Sequence, residues 1–161
     1  MERKLSLLGL DYGEATVGVA ASDGLFLTAQ PLEVIRRNRG KQLRETFRRI
    51  EEIARERGAN AIVIGYPKHL NNTIGDRASA SEKFAADIAR RTGLKVILWD
   101  ERYTTVSAHR ALDEADMGHV KKAAVVDKLA AVFILQSYMD YLGNCPNEKE
   151  KLLEEIYGRE E

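Results

Sequence analysis

The chain has 161 residues, enough for one domain with its own core, and 44% of them are hydrophobic, which excludes a disordered chain. Its 25 basic and 25 acidic residues cancel, so a protein that grips nucleic acid by bulk charge alone is excluded as well. The single cysteine, Cys145, can form neither an internal disulfide nor a zinc cluster, and the apolar run before Asp11 is too short for a signal peptide or a membrane span; a cytoplasmic location is the expectation.

Residues 4–10 read as a buried strand, Tyr12-Gly13-Glu14-Ala15 as a turn, and Thr16–Ala21 as a second strand of β-branched and small residues. Asp23-Gly24 marks another turn, and residues 25–35 resume an extended pattern interrupted at Pro31. Two turns this tight predict an antiparallel meander. Leu43, Phe47, Ile50 and Ala54 then recur at helical spacing up to Gly58. Ala61–Gly65 is a short apolar strand, and the polar run from Lys68 to Gly75 reads as a flexible loop. Ala80, Phe84 and Ile88 lie on a second amphipathic helix ending near Gly93, and Lys95–Trp99 forms the next strand. Thr104 or Thr105 would cap a further helix. Gly118 breaks that pattern before a long apolar helix over about residues 123–142. The order β-β-β-α-β-α-β-α-α predicts an α/β domain over residues 1–142: a mixed five-stranded sheet, first antiparallel and then parallel, flanked by helices. Residues 143–161 carry three basic and six acidic residues, leaving +3 on the rest, and read as a charged, solvated C-terminal tail.

Three acids stand inside otherwise apolar segments. Asp11 follows Leu5–Leu10, Glu101 follows Val96–Asp100, and Asp127 lies between Val126 and Leu129 on the long helix. A buried carboxylate costs several kcal/mol unless it is paired, neutralised or bound to a cation. Singly, each reads as a satisfied structural acid: a turn residue at 11, a loop residue at 101, an ion-pair partner at 127. Asp100 stands beside Glu101, and strand parity does not decide which of the two points inward. Jointly, acids at strand ends and on a facing helix suggest an oxygen-rich cage for Mg²⁺ or Mn²⁺. No His/Cys spacing for zinc and no twelve-residue calcium loop is present. Two such ions about 3.5–4 Å apart would clamp the attacking and leaving oxygens of a phosphodiester. Lys121, Lys122 and Arg102 fit as phosphate contacts, and the basic run Arg36–Lys41 with Arg44, Arg48 and Arg49 is either a second such patch or a solvated surface. Ser22, Ser79 and Ser81 have no evident histidine partner, and His69, His109 and His119 are scattered. Gly9, Gly13 and Gly18 read as turn and packing glycines, with no dinucleotide-binding spacing.

Four ordered motifs carry a family resemblance. Leu8-Gly9-Leu10-Asp11-Tyr12-Gly13 with Gly18-Val19-Ala20 comes first, then Ile64-Gly65-Tyr66-Pro67, then Asp100-Glu101-Arg102-Tyr103-Thr104-Thr105, then Val126-Asp127-Lys128-Leu129-Ala130-Ala131 with Ile134-Leu135-Gln136. Together with Ala29-Gln30-Pro31-Leu32 they resemble the YqgF/RuvX family over roughly residues 5–142. The resemblance implies an RNase H-like fold and a divalent-metal nuclease, with Asp11, Glu101 and Asp127 as the catalytic, metal-holding acids. It implies nucleic acid as partner. Precursor 16S ribosomal RNA, trimmed at its 5′ end in ribosome biogenesis, is the leading substrate, and four-way DNA, cut as by a Holliday junction resolvase, is the alternative. Two departures stand out: the family carries a basic residue in the turn after Gly13 where this chain has Glu14-Ala15-Thr16, and an acidic-Gly pair where this chain has Asn71-Asn72. Two rivals were weighed. Sugar-kinase and actin-like ATPases share an Asp-x-Gly opening but need a second lobe that 161 residues do not accommodate. A nucleic-acid-binding module with a dead site is disfavoured by the presence of all three acids.

Overall fold

A computed structural model describes residues 3–13, 15–37, 43–66, 72–100 and 119–158, without the side chains of 72–77 and 119–128. Five strands form one mixed sheet in the order β3-β2-β1-β4-β5: β1 Leu7–Tyr12, β2 Thr16–Ser22, β3 Ala29–Arg36, β4 Ala61–Tyr66 and β5 Lys95–Asp100. The pairs β1–β2 and β2–β3 are antiparallel, and β1–β4 and β4–β5 are parallel. The predicted meander followed by parallel strands is therefore the observed architecture. Among the described residues the helices are α1 Arg44–Arg57, α2 Asn72–Thr92, α3 His119–Asn144 and α4 Pro146–Tyr157. None is long and apolar enough to cross a membrane.

Local chemistry explains the boundaries. β1 runs through Asp11 to Tyr12 because its ladder with β2 continues to the pair Tyr12–Val17, so Asp11 lies within the strand and not in the turn after it. Residues 25–28, expected to be extended, are a tight turn: the Asp23 carboxylate accepts hydrogen bonds from the Leu27 and Thr28 amides at 2.7 and 3.2 Å. Pro31 is tolerated because β3 is an edge strand and its register with β2 shifts beside it, between Val19 and Ala20. Gly58 and Gly93, both at positive φ (63° and 71°), follow the last turns of α1 and α2. α2 starts at Asn72, so residues 72–75 are helical and not the flexible loop expected of them. The helix expected after Thr104 or Thr105 lies outside the described residues. α3 exceeds its predicted span at both ends.

The strand pleat sorts the core into two layers. Leu8, Leu10, Val17, Val19, Ile62 and Ile64 face α1 and α2, meeting Phe47, Ile50, Phe84 and Ile88. Leu7, Ala20 and Val63 face α3, meeting Ala131, Ile134, Leu135 and Tyr138. Within the segment expected to be a solvated tail, Pro146–Tyr157 form a docked helix. α4 buries Leu152 and Leu153, and Leu152 joins the α3 layer. The charge count concealed this because the acids and lysines of α4 occupy its outer face, leaving two adjacent leucines to dock. Polar ties hold it to the strand starts: Arg3–Glu150 at 3.0 Å, Lys95–Glu155 at 3.2 Å, and the Tyr157 hydroxyl donating to the Lys4 carbonyl at 2.6 Å.

Candidate active site

β1, β3, β4 and β5 run in one direction, so their C-terminal ends (Tyr12, Arg36, Tyr66 and Asp100) share one edge of the sheet. In sheets with parallel strands that edge is where ligands bind. α1 and α2 follow β3 and β4 and so start there, which turns the positive ends of their dipoles toward it.

Asp11 is the central acid of this edge. It is half-buried on the middle strand, paired with Gly18 of β2. Gly9, two residues earlier, is pressed against α3: a Cβ added there would lie 2.6 Å from the Leu135 Cβ and 3.0 Å from the Ala131 carbonyl oxygen. By alternation Asp11 therefore points to the α3 side of the sheet. So do its flanking positions, Gly18 on β2 and Gly65 on β4, which follows Ile64, the partner of Leu10. The carboxylate stands between two positions that carry no side chain.

The direction of α3 follows from its contacts. The Gln136 side-chain oxygen accepts from the Ala29 amide at 2.8 Å, and Ala29 pairs with Ser22, whose hydroxyl accepts from the Leu7 amide at 2.9 Å. Residue 136 thus lies toward the start of β1, and the turn from Ala131 to Leu135 packs on Gly9. α3 runs antiparallel to β1, with its N-terminus at the same edge as Asp11. Position 127 precedes Ala131 by one turn in that direction, and Asp11 follows Gly9 by two strand residues in the same direction. Positions 11 and 127 therefore both lie toward that edge, on facing elements.

The other predicted residues divide clearly. Glu101 and Arg102 lie outside the described residues, as do His69 and His109. Lys121 and Lys122 are on the first turn of α3 and Asp127 on its third, with side chains outside the description. Asp100 ends β5 opposite Tyr66. Ile97 and Trp99 pack on the α3 layer and Val96 on the other, so alternation places Asp100 on the face away from Asp11. Arg49 is not available to phosphate: it is bound to Glu33 at 2.7 Å and Glu52 at 3.0 Å. The hydrogen bond from Arg49 holds the Glu33 carboxyl below the usual carboxylate range. Ser22 completes backbone hydrogen bonding, and Ser81 is buried on α2. Tyr66 hydrogen-bonds Glu82, which pushes its phenol upward in pKa. Sequence reasoning passed over Arg37 as one of a basic run, yet it contacts the strand end carrying Asp11 (below); its signal was only its place opposite the first turn.

A family model, RuvX, described as Holliday junction resolvase, matches residues 5–141. The chain is 51% identical over 140 residues to the "Putative pre-16S rRNA nuclease" of Agathobacter rectalis, covering 87% of this chain and 98% of that protein. It is 53% identical over 136 residues to the protein of the same name from Lachnospira eligens, covering 84% and 97%. Among solved structures, T. thermophilus RuvC in complex with Holliday junction substrate matches with a TM-score of 0.54 over 87% of this chain and 97% of RuvC. At 16% identity that likeness speaks for the fold alone, an RNase H-like one. With its central strand, its facing helix and a model match spanning nearly all of both, this chain belongs to the RuvX family.

Proposed function

We propose that this protein is a nuclease that hydrolyses phosphodiester bonds and processes the 5′ end of precursor 16S ribosomal RNA. The observation that carries this reading is the half-buried Asp11 on the central strand, flanked by glycines of the neighbouring strands and at the edge where α3 begins, in a chain about half identical to proteins named for that substrate. Precursor ribosomal particles are the setting this substrate implies.

A divalent cation fits the site. Asp11 offers a hard oxygen donor, and Gly18 and Gly65 leave the strand positions beside it without side chains that would fill the space. No group of three metal-ligating residues occurs among the described residues, so the remaining donors are assigned from the sequence: Glu101 and Asp127, with Asp100 on the other face. These acids would hold Mg²⁺ or Mn²⁺, as a pair of ions. When bound, such ions stabilise charge developing on the phosphoryl oxygens and make water more acidic. The chain's own contribution is to hold the acids at one edge of the β1–α3 interface and to set positive charge beyond them. Lys121, Lys122 and Arg102 offset phosphate charge, and the α1 and α2 N-termini favour the same anion.

A second reading, cleavage of four-way DNA, is favoured by the description of the matching family. One experiment separates the two. Labelled precursor 16S RNA and a four-way DNA junction are incubated with Mg²⁺, Mn²⁺ or chelator, for wild type and Asp11→Asn. RNA cut only by the wild type with metal is the expected result. Junction cut alone moves the substrate to DNA. Cleavage that survives Asp11→Asn in a contaminant-free preparation refutes the catalytic assignment, and binding without cutting leaves a nucleic-acid-binding factor.

A further inference from the structure

Asp11 and Tyr12 are held unevenly. On one side the ladder to β2 continues through Tyr12–Val17, whereas on the other the pairing with β4 stops at Leu10–Ile64. Beyond them the chain turns at once, with the Gly13 amide donating to the Thr16 carbonyl at 2.9 Å. A strand end of this kind needs an additional anchor if a carboxylate on it is to keep a fixed position.

Arg37, just past the end of β3, supplies three contacts to this short stretch. Its backbone amide donates to the Ala15 carbonyl at 2.8 Å. Its Nη1 donates to the Gly13 carbonyl. Its guanidinium lies over the Tyr12 ring, 4.7 Å from the centroid. Tyr12 in turn stacks on Phe84 at 4.1 Å and 11°, and Phe84 on Phe47 at 5.5 Å. Arg91 caps the far end of this column, 5.0 Å from the Phe47 centroid. The contact therefore runs from the residue after Asp11 into the packed layer between the sheet, α1 and α2. The Arg37 Nε is buried and has no hydrogen-bond partner among the described residues. Among the described residues, the contacts that place this guanidinium are those with the Tyr12 ring and the Gly13 carbonyl.

We infer that Arg37 is a positioning residue for the reaction, a strap from β3 across the first turn that fixes the Asp11 end of β1. It lies on the face opposite Asp11 and acts through Tyr12 and Gly13, so it is not a catalytic residue and does not touch the reacting phosphate. A planar guanidinium suits this task because it stacks and donates in its plane at once, which an ammonium does not. The inference rests on the nuclease reading of Asp11.

The test compares wild type, Arg37→Ala, Arg37→Lys and Asp11→Asn. One measurement is cleavage of a 5′-labelled precursor 16S RNA fragment with Mn²⁺; the other is amide hydrogen exchange of the metal-free proteins. Arg37→Ala is expected to lower kcat by about 10–100-fold, on the scale of a misplaced reacting group. KM stays within about 2-fold and its salt dependence is unchanged, since no phosphate contact is lost. Exchange at the amides of residues 12–16 accelerates while that of β4 does not. Arg37→Lys shows the same pattern, and it carries the comparison if Arg37→Ala does not fold. A raised KM with a shallower salt dependence, restored by Arg37→Lys, overturns the strap in favour of direct phosphate binding. Unchanged kcat or unchanged exchange overturns it as well. If the wild type does not cut the RNA, or Asp11→Asn cuts equally well, the nuclease reading fails, and the exchange data still decide whether Arg37 holds the turn.

Discussion

Gly9→Ala tests the close β1–α3 contact beside Asp11. The added Cβ would lie 2.6 Å from the Leu135 Cβ and 3.0 Å from the Ala131 carbonyl oxygen. Carbon atoms rest at about 3.5–4.0 Å, so the strand and α3 must separate by about 1 Å. Neither obstacle is the end of a flexible side chain, and both strand and helix are held along their lengths. Overpacking of this kind costs about 1–3 kcal/mol. Gly9 is not at positive φ, so alanine also stabilises by about 0.4–1 kcal/mol through the unfolded chain. The net loss is roughly 0–2.6 kcal/mol, or up to about 10 °C in Tm for a chain of this size. The effect on cleavage should be far larger, about 100-fold, because a 1 Å displacement falls between the two acids. Thermal unfolding and RNA cleavage, the latter below both midpoints, read the two quantities. Gly24→Ala is the control, since a Cβ there meets nothing within 4 Å. Wild-type cleavage by Gly9→Ala despite a lowered Tm would refute the claim that the β1–α3 contact sets the site. Wild-type values for both would refute the close packing itself.

Two further outcomes follow from the fold. Leu152→Ala should cost about 2–5 kcal/mol and lower Tm by about 4–20 °C while leaving kcat near wild type, because Leu152 is core but far from the catalytic edge; a change within 1 °C would return α4 to the status of a solvated tail. Stability should also fall in acid: Glu33, held low by its hydrogen bond from Arg49, and Asp23, held low by the Leu27 amide, stabilise the fold above their unfolded pKa values. That contribution is complete above about pH 5 and is lost as pH falls through the lower folded-state pKa values. Tm measured from pH 7 to pH 3 checks it, and a Glu33→Gln variant should lose less over that range; an identical loss would exclude the pair.

The parts of the fold that were legible in the sequence are those where one physical signal dominates. Continuous apolar runs marked β1, β4 and β5, because these strands pack on both layers, and Leu43, Phe47, Ile50 and Ala54 marked α1, because that stripe faces a single layer. Boundaries were less legible where a partner decides them. Asp11 belongs to β1 only because Gly18 pairs with it, and residues 25–28 leave the strand only because Asp23 caps their amides. α4 was misread because its exposed charges outnumber its two buried leucines, and docking is decided by the latter. Among the candidate acids, parity alone left the direction of Asp100 open; the contacts of Ile97 and Trp99 put it on the face away from Asp11. Arg49 resembled a phosphate ligand in sequence, and only the fold brings Glu33 of β3 against α1 to pair with it.

α4 also shows how this chain departs from its relatives without disturbing the site. The family match ends at residue 141, and the helix that follows docks on the starts of the strands, at Lys4, Asn60 and Lys95. Those residues lie at the edge of the sheet opposite Asp11 and the N-termini of α1 and α2. An addition at the catalytic edge would compete with a phosphate polymer for space and bring the negative charge of α4 toward it. At the opposite edge the same acids meet Arg3 and Lys95, and the same leucines extend the α3 layer. The position of α4 therefore separates stability from the Asp11 edge: the C-terminal helix reinforces the far end of the β1–α3 interface, and Asp11 lies at the near end.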